Sequence, residues 1–435
     1  MSTRKQKKPD KNKKHTEGAS VAVTPDFADY LALAPGFLMI AMLFLVLILD
    51  IAVPGMAEKQ YEDFPGIFTA FDYASVAAGL LYVVISMMRK DIRTEKTDIF
   101  FAAFMLLIIA STAVNGFNEY TIDGVPYRYI GILNMAAFFL IYMCVTRSIK
   151  RESFGNVVLI GYLAAADIIG LTALYDRYIG TVPAFQEKKE LSAIFFNGNH
   201  YGYFLLMAVL IALGYFLFGD RRQAAAGAVS AGLNLALLVI NHSLGSMIAV
   251  IIVLIGTAIL IAVKDRSYWK KTVILLAVMT AAFIAAFVLS PDVRKEFTGF
   301  IADLAAIAGG NAKGSAGHNR WKLWALTLQY IAKKPMLGYG CEGISFMLYE
   351  AMAISNPHSE VLTYAAYYGI PAAILYATGV VSVLLVSISR IKTNKATQKA
   401  ACMAAAGYLL SSFTGVGMFY TLPFFFIFLG LSLKR

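Results

Sequence analysis

The run Asn356-Pro357-His358-Ser359-Glu360 places an imidazole, a hydroxyl and a carboxylate where a polar stretch gives way to an apolar one. Asn is a good N-cap and Pro suits the first helical position, so the spacing predicts a helix opening at Pro357 with His358 and Glu360 in its first turn. A helix N-terminus attracts anions and opposes protonation of an imidazole. A neutral His beside an anion site has the chemistry of a base.

The elements that must position these groups are mostly apolar. With 59% hydrophobic residues, 15% charged residues and a mean hydropathy of +0.65, the chain exceeds the usual soluble composition. Twelve apolar segments approach the length needed to cross a bilayer. They are 31–49, 67–88, 99–114, 129–145, 157–174, 201–218, 224–240, 244–263, 272–289, 361–388, 400–416 and 420–433. The formal charge of +11 follows the spans rather than a nucleic-acid surface, because 26 Lys and Arg residues fall in alternate segments against 5 in the short loops between them. By the positive-inside rule both termini are expected in the cytoplasm and the long loop 290–360 outside. The organisation expected is therefore all-α: a basic, disordered cytoplasmic tail (1–29), spans one to nine (30–289), a folded outer loop (290–360) and spans ten to twelve (361–435). The tail is further expected to touch anionic membrane lipid. No Cys or His pair has metal-ligand spacing, so no metal and no other cofactor is expected.

Within the outer loop, Trp321, Trp324, Ala325, Leu328 and Ala332 fall on one face of a predicted helix, and tryptophans on such a face favour the headgroup layer. Pro335 ends that helix, and Gly338 and Gly340 permit a tight turn. A second helix is predicted near Glu342, with Ile344, Met347, Leu348 and Ala351 on one face.

These residues together resemble the bacterial O-antigen ligase and O-antigen polymerase superfamily. Its signature, a His and a small polar residue followed by nine residues and a Gly, is matched by His358, Ser359 and Gly369; Ala372 stands where a second Gly is common. Arg320, Trp321, Trp324, Pro335, Gly338 and Gly340 are similar to the family's Arg-Trp helix and Pro-x-x-Gly-x-Gly turn. Two weaker echoes are FFNGNHYGYFLL, with Asn197, Asn199 and His200, and NHSLGS, with His242, where Leu244 replaces a family Arg.

The resemblance implies a polytopic helical enzyme in the bacterial cytoplasmic membrane. It would transfer a glycan at the outer face from undecaprenyl diphosphate to an acceptor hydroxyl, as a polysaccharide polymerase in the first reading and as a ligase onto a lipid core or protein in the alternative, inverting the anomeric centre without a metal. A diphosphate leaving group needs charge neutralisation, which Arg supplies as a fork that stays charged. Arg320 is the candidate by motif, and Arg128 and Arg177 are candidates by position. His358 suits the general base, with Glu360 orienting it or serving as the base itself. Substrate contacts are expected from Asn197, Asn199, His200, His242, Trp321 and Trp324. Asp72 and Asp167 interrupt spans two and five and favour a rival, a proton-coupled exporter or flippase. A further rival is another lipid-linked glycosyltransferase, such as the shape, elongation, division and sporulation family.

Overall fold

Apolar segments of this length fold as helices because hydrocarbon offers no partner to a free backbone N–H or C=O. The computed structural model describes residues 26–433 except 53–64, 91–94, 127, 149–151, 181, 183–190, 196, 311–316 and 318. Every regular element among the described residues is helical. The tail up to residue 25, and Lys59, Arg93, Lys150, Arg151, Lys188, Lys189, Lys434 and Arg435 of the charge pattern, lie outside the described residues.

Among the described residues, nine α-helices precede the long loop 290–360: α1 Phe27–Ala52, α2 Pro65–Met88, α3 Asp98–Asn115, α4 Ile132–Ser148, α5 Glu152–Tyr178, α6 Gly198–Phe218, α7 Arg221–Ile240, α8 Leu244–Lys264 and α9 Trp269–Leu289. The loop itself holds α10 Pro291–Ala308, α11 Arg320–Lys333 and α12 Ser345–Met352. After it come α13 Glu360–Tyr368, α14 Ile370–Ser389, α15 Ala396–Ser412 and α16 Leu422–Ser432.

Among the described residues, nine helices are long and apolar enough to cross a membrane, fewer than the twelve expected. The shortfall lies in α4 and α15, each of 17 residues, and α16, of 11. All eleven residues of α16 are nonetheless buried. At the centre stands α6, buried along nearly its whole length between α7 and α15. A helix that is apolar all round belongs in such a position. By contrast α9 is mostly exposed.

The two intramembrane acids are partnered inside the bundle. Asp72 accepts a hydrogen bond from Asn134, and Asp167 accepts from Ser230 at 2.8 Å and Asn234 at 2.6 Å. Such pairing offsets the cost of a polar group in hydrocarbon.

The long loop and the span that follows it differ from expectation in three ways. It contains an additional helix, α10, opened by Ser290, whose side chain accepts from the N–H of Val293, and by a proline at the first helical turn. The helix expected near Glu342 starts at Ser345, because Glu342 is in the left-handed region with φ 56°. Its buried face keeps Ile344 and Leu348 but leaves Ala351 exposed. Finally, expected span ten is broken at Gly369 into α13 and α14.

Candidate functional site

The break at Gly369 explains the proline-glycine turn upstream of it. Ending a helix inside the protein leaves carbonyls without partners, and here residues 335–340 supply them. The N–H groups of Tyr339 and Gly340 donate to Ala366 O at 3.0 Å and Tyr367 O at 2.8 Å, and Ile370 donates back to Pro335 O at 2.8 Å. Ser111 of α3 also donates to Tyr367 O, at 2.8 Å. Gly369 has φ +92° and a side chain there would put Cβ 2.0 Å from Met336 O; at Gly338, with φ +59°, Cβ would meet Ala366 O at 2.5 Å. Both glycines are required by backbone packed on backbone. The nine residues between Ser359 and Gly369 are the nine residues of α13.

At the other end of α13 the cap is Ser359, whose Oγ accepts from the N–H of Leu362 at 3.4 Å. Asn356, the expected cap, does something else. Its Oδ1 accepts from the N–H of His358 at 3.0 Å and lies 3.4 Å from Thr363 Oγ1, an Asx turn that holds His358 at φ 52°. His358 thus precedes the helix in a left-handed conformation that a non-glycine residue adopts at a cost. The indole N–H of Trp324 braces the same corner, donating to Pro357 O at 3.0 Å.

Helix α11 contributes that brace because Leu323, Thr327 and Ile331 are its buried stripe. The predicted apolar face is mostly the opposite one: Trp321, Ala325, Leu328 and Ala332 are exposed, which leaves them to the surroundings, while Trp324 turns inward. Arg320, at the start of α11, lies close enough to His358 for its charge to act on the imidazole.

Arg128 reaches the site from the loop after α3. It pairs with Glu342 at 2.7 Å, its side chain only 9% exposed and that of Glu342 fully buried, and its Nη1 donates to Ser355 Oγ at 2.9 Å. Glu342 also accepts from the hydroxyl of Tyr367 at 2.7 Å. His200, buried in the first turn of α6, is within electrostatic reach of His358 and Arg128. Asn197 caps that helix by accepting from the N–H of His200 at 3.1 Å.

Burial first, then Arg320 and Arg128, push the His358 pKa down to about 4. At neutral pH the imidazole is therefore uncharged and can accept a proton. Three buried nitrogens at this junction have no hydrogen-bond partner among the described residues: Arg128 Nε, His200 Nδ1 and Asn356 Nδ2. Buried polar groups are ordinarily satisfied, and Glu342 Oε1 beside Arg128 is also without a partner among the described residues.

Of the sequence candidates, His358, Arg320, Arg128 and His200 are brought together, with Trp324 bracing them. Arg177 is exposed over the Tyr178 ring, and Asn199, His242 and Trp321 are also exposed. Glu360, expected to be the base or its orienter, is committed elsewhere. Its Oε2 accepts from Tyr376 at 3.1 Å and its Oε1 accepts from Tyr408 at 2.5 Å, so the carboxylate joins α13 to α14 and α15. Glu342 and Asn356 were not site candidates in the sequence. The Arg128–Glu342 pair spans 214 positions and left no local signal, whereas Asn-Pro-His is a readable Asx-turn pattern. Among the described residues no group of three His, Cys, Asp or Glu could hold a metal ion.

Residues 229–377 match the family model described as O-antigen ligase, which carries the resemblance to the O-antigen ligase and polymerase superfamily over that stretch. The matched segment includes Arg320, Asn356, His358 and Gly369 but neither Arg128 nor His200. No curated protein matches the chain.

Proposed function

Starting from that match, we propose that the chain is a glycosyltransferase of the bacterial cytoplasmic membrane. It moves a glycan from undecaprenyl diphosphate to an acceptor hydroxyl at the outer face, and its product is a polysaccharide built by repeated transfer. The observation that carries this reading is that Arg320 and Arg128 both lie within electrostatic reach of His358, and that nitrogens of Arg128, His200 and Asn356 are buried with no hydrogen-bond partner among the described residues.

In the proposed reaction the acceptor oxygen attacks the anomeric carbon and its proton passes to His358. The bond from that carbon to the phosphate oxygen breaks, and the lipid diphosphate leaves with the electron pair. Arg320 and Arg128 offset the charge that develops on the leaving group. Direct displacement by one acceptor inverts the anomeric centre, and no step calls for a metal. A base with a pKa of about 4 is weak, but the cause of its weakness is partly removable. A bound diphosphate sets negative charge against both guanidinium groups, relieves their effect on His358 and raises its basicity. Proton acceptance is thereby tied to an occupied donor site.

Purified protein supplied with lipid-linked repeats is expected to produce a ladder of products. Replacing His358 with Ala lowers turnover by about 10² to 10⁴, the usual worth of a positioned base, and Arg320→Ala weakens use of the donor. Retention of full activity by both variants overturns the reading. A single block added to a foreign lipid core or protein, with no ladder, assigns the chain as a ligase instead.

A further inference from the structure

Asn356 makes its turn with one end of its amide and leaves the other end free. The orientation of that amide is fixed by chemistry: the N–H of His358 can only donate, so the atom 3.0 Å from it must be Oδ1. Nδ2 therefore points elsewhere, is buried, and has no partner among the described residues, on a residue only 3% exposed. It stands on the same corner that Arg128 grips through Ser355, one residue from Pro357, where Trp324 is attached. An amide nitrogen offers only donors. With Arg128 bonded to the neighbouring Ser355 and both Arg128 and Arg320 within electrostatic reach of His358, such a donor is matched by an anionic oxygen rather than by a cation.

We infer that Asn356 is a donor-binding residue whose Nδ2 hydrogen-bonds a phosphate oxygen of the lipid diphosphate, while its Oδ1 positions His358. This rests on the proposed glycosyl transfer. One side chain then holds the base and the leaving group in a fixed relation, a geometry that catalysis by orientation requires.

Substitution separates the two duties. Asn356→Asp keeps the acceptor that forms the turn, since Asp makes the same Asx turn, but replaces the free donor with an oxygen that repels phosphate. Asn356→Ser keeps a hydroxyl acceptor for the turn, carries no charge and lacks the amide. The probe is undecaprenyl diphosphate without glycan, titrated into full-length protein in nanodiscs, with thermal melting as the check on folding. A hydrogen bond to a charged group corresponds to about 10-fold or more in affinity. Both variants are therefore expected to melt like the parent and to bind the probe at least about 10-fold more weakly, with Asp the weaker. Probe affinity equal to the parent's in a folded Asp or Ser variant overturns the inference and leaves Asn356 as a turn-former only. Should Asp fail to fold, the Ser variant decides by the same readout. Failure of the underlying reading is seen separately: His358→Ala and Arg320→Ala would then both keep full transfer, whatever Asn356 does.

Discussion

At the scale of single residues, the site is governed by what surrounds His358. Its pKa of about 4 lies below the ordinary imidazole value, so protonation favours the unfolded chain. The stability this group contributes is complete above the unfolded pKa of about 6.5 and is lost as pH falls toward the folded value. Under the proposed reaction, activity is expected to follow the same sign, since a neutral ring is needed as base and is lost on the acid side. The acid limb of kcat/KM, which reports the free enzyme, is expected near pH 4, and that of kcat at a higher pH, because the bound diphosphate restores basicity. Coincident limbs in the two profiles would refute the coupling. The sequence made His358 and Arg320 visible through motif and spacing, but it misplaced the cap by three positions. Asn356 and Ser359 are both good N-caps, and the choice between them was made by the Asx turn, which commits Asn356 Oδ1 to the N–H of His358 and leaves the cap to Ser359.

At the scale of elements, α13 is held at both ends by other parts of the chain. Gly369→Ala is expected to be severe, since φ +92° is costly for alanine and its Cβ would lie 2.0 Å from Met336 O. The conformational cost alone is about 1–3 kcal/mol. A lowered melting temperature together with loss of transfer would be observed; a variant that melts and works like the parent would exclude the docked turn. Helix existence was legible almost throughout, because apolar length and the 3.6-residue period are strong signals. The break within expected span ten was not, since Tyr367, Tyr368, Gly369 and Ile370 read as one apolar run. What interrupts it is a set of hydrogen bonds from residues about thirty positions upstream. Similarly, the predicted face of α11 was not the one that fits against the protein, which is Leu323, Thr327 and Ile331.

At the scale of the whole molecule, the bundle treats its intramembrane acids as internal polar contacts. Asp72 and Asn134 are both fully buried and bonded to each other, and an amide in place of the carboxylate can preserve a hydrogen bond to Asn134. Asp72→Asn is therefore expected to retain transfer activity. If that change abolishes function while His358→Ala does not, a proton-coupled exporter is the better description. The span count was less legible than the fold class, because α4, α15 and α16 gain their place from protein packing rather than from length. The nine residues of α13 have one more consequence. One end of this helix is tied through Pro357 to α11 and the other through Tyr367 to α3. A single inserted residue would rotate one anchor against the other by about 100° and lengthen the spacer by about 1.5 Å. The gap in the signature is thus a ruler: many side chains can fill it, but its length sets the register between the surface helix and the membrane bundle.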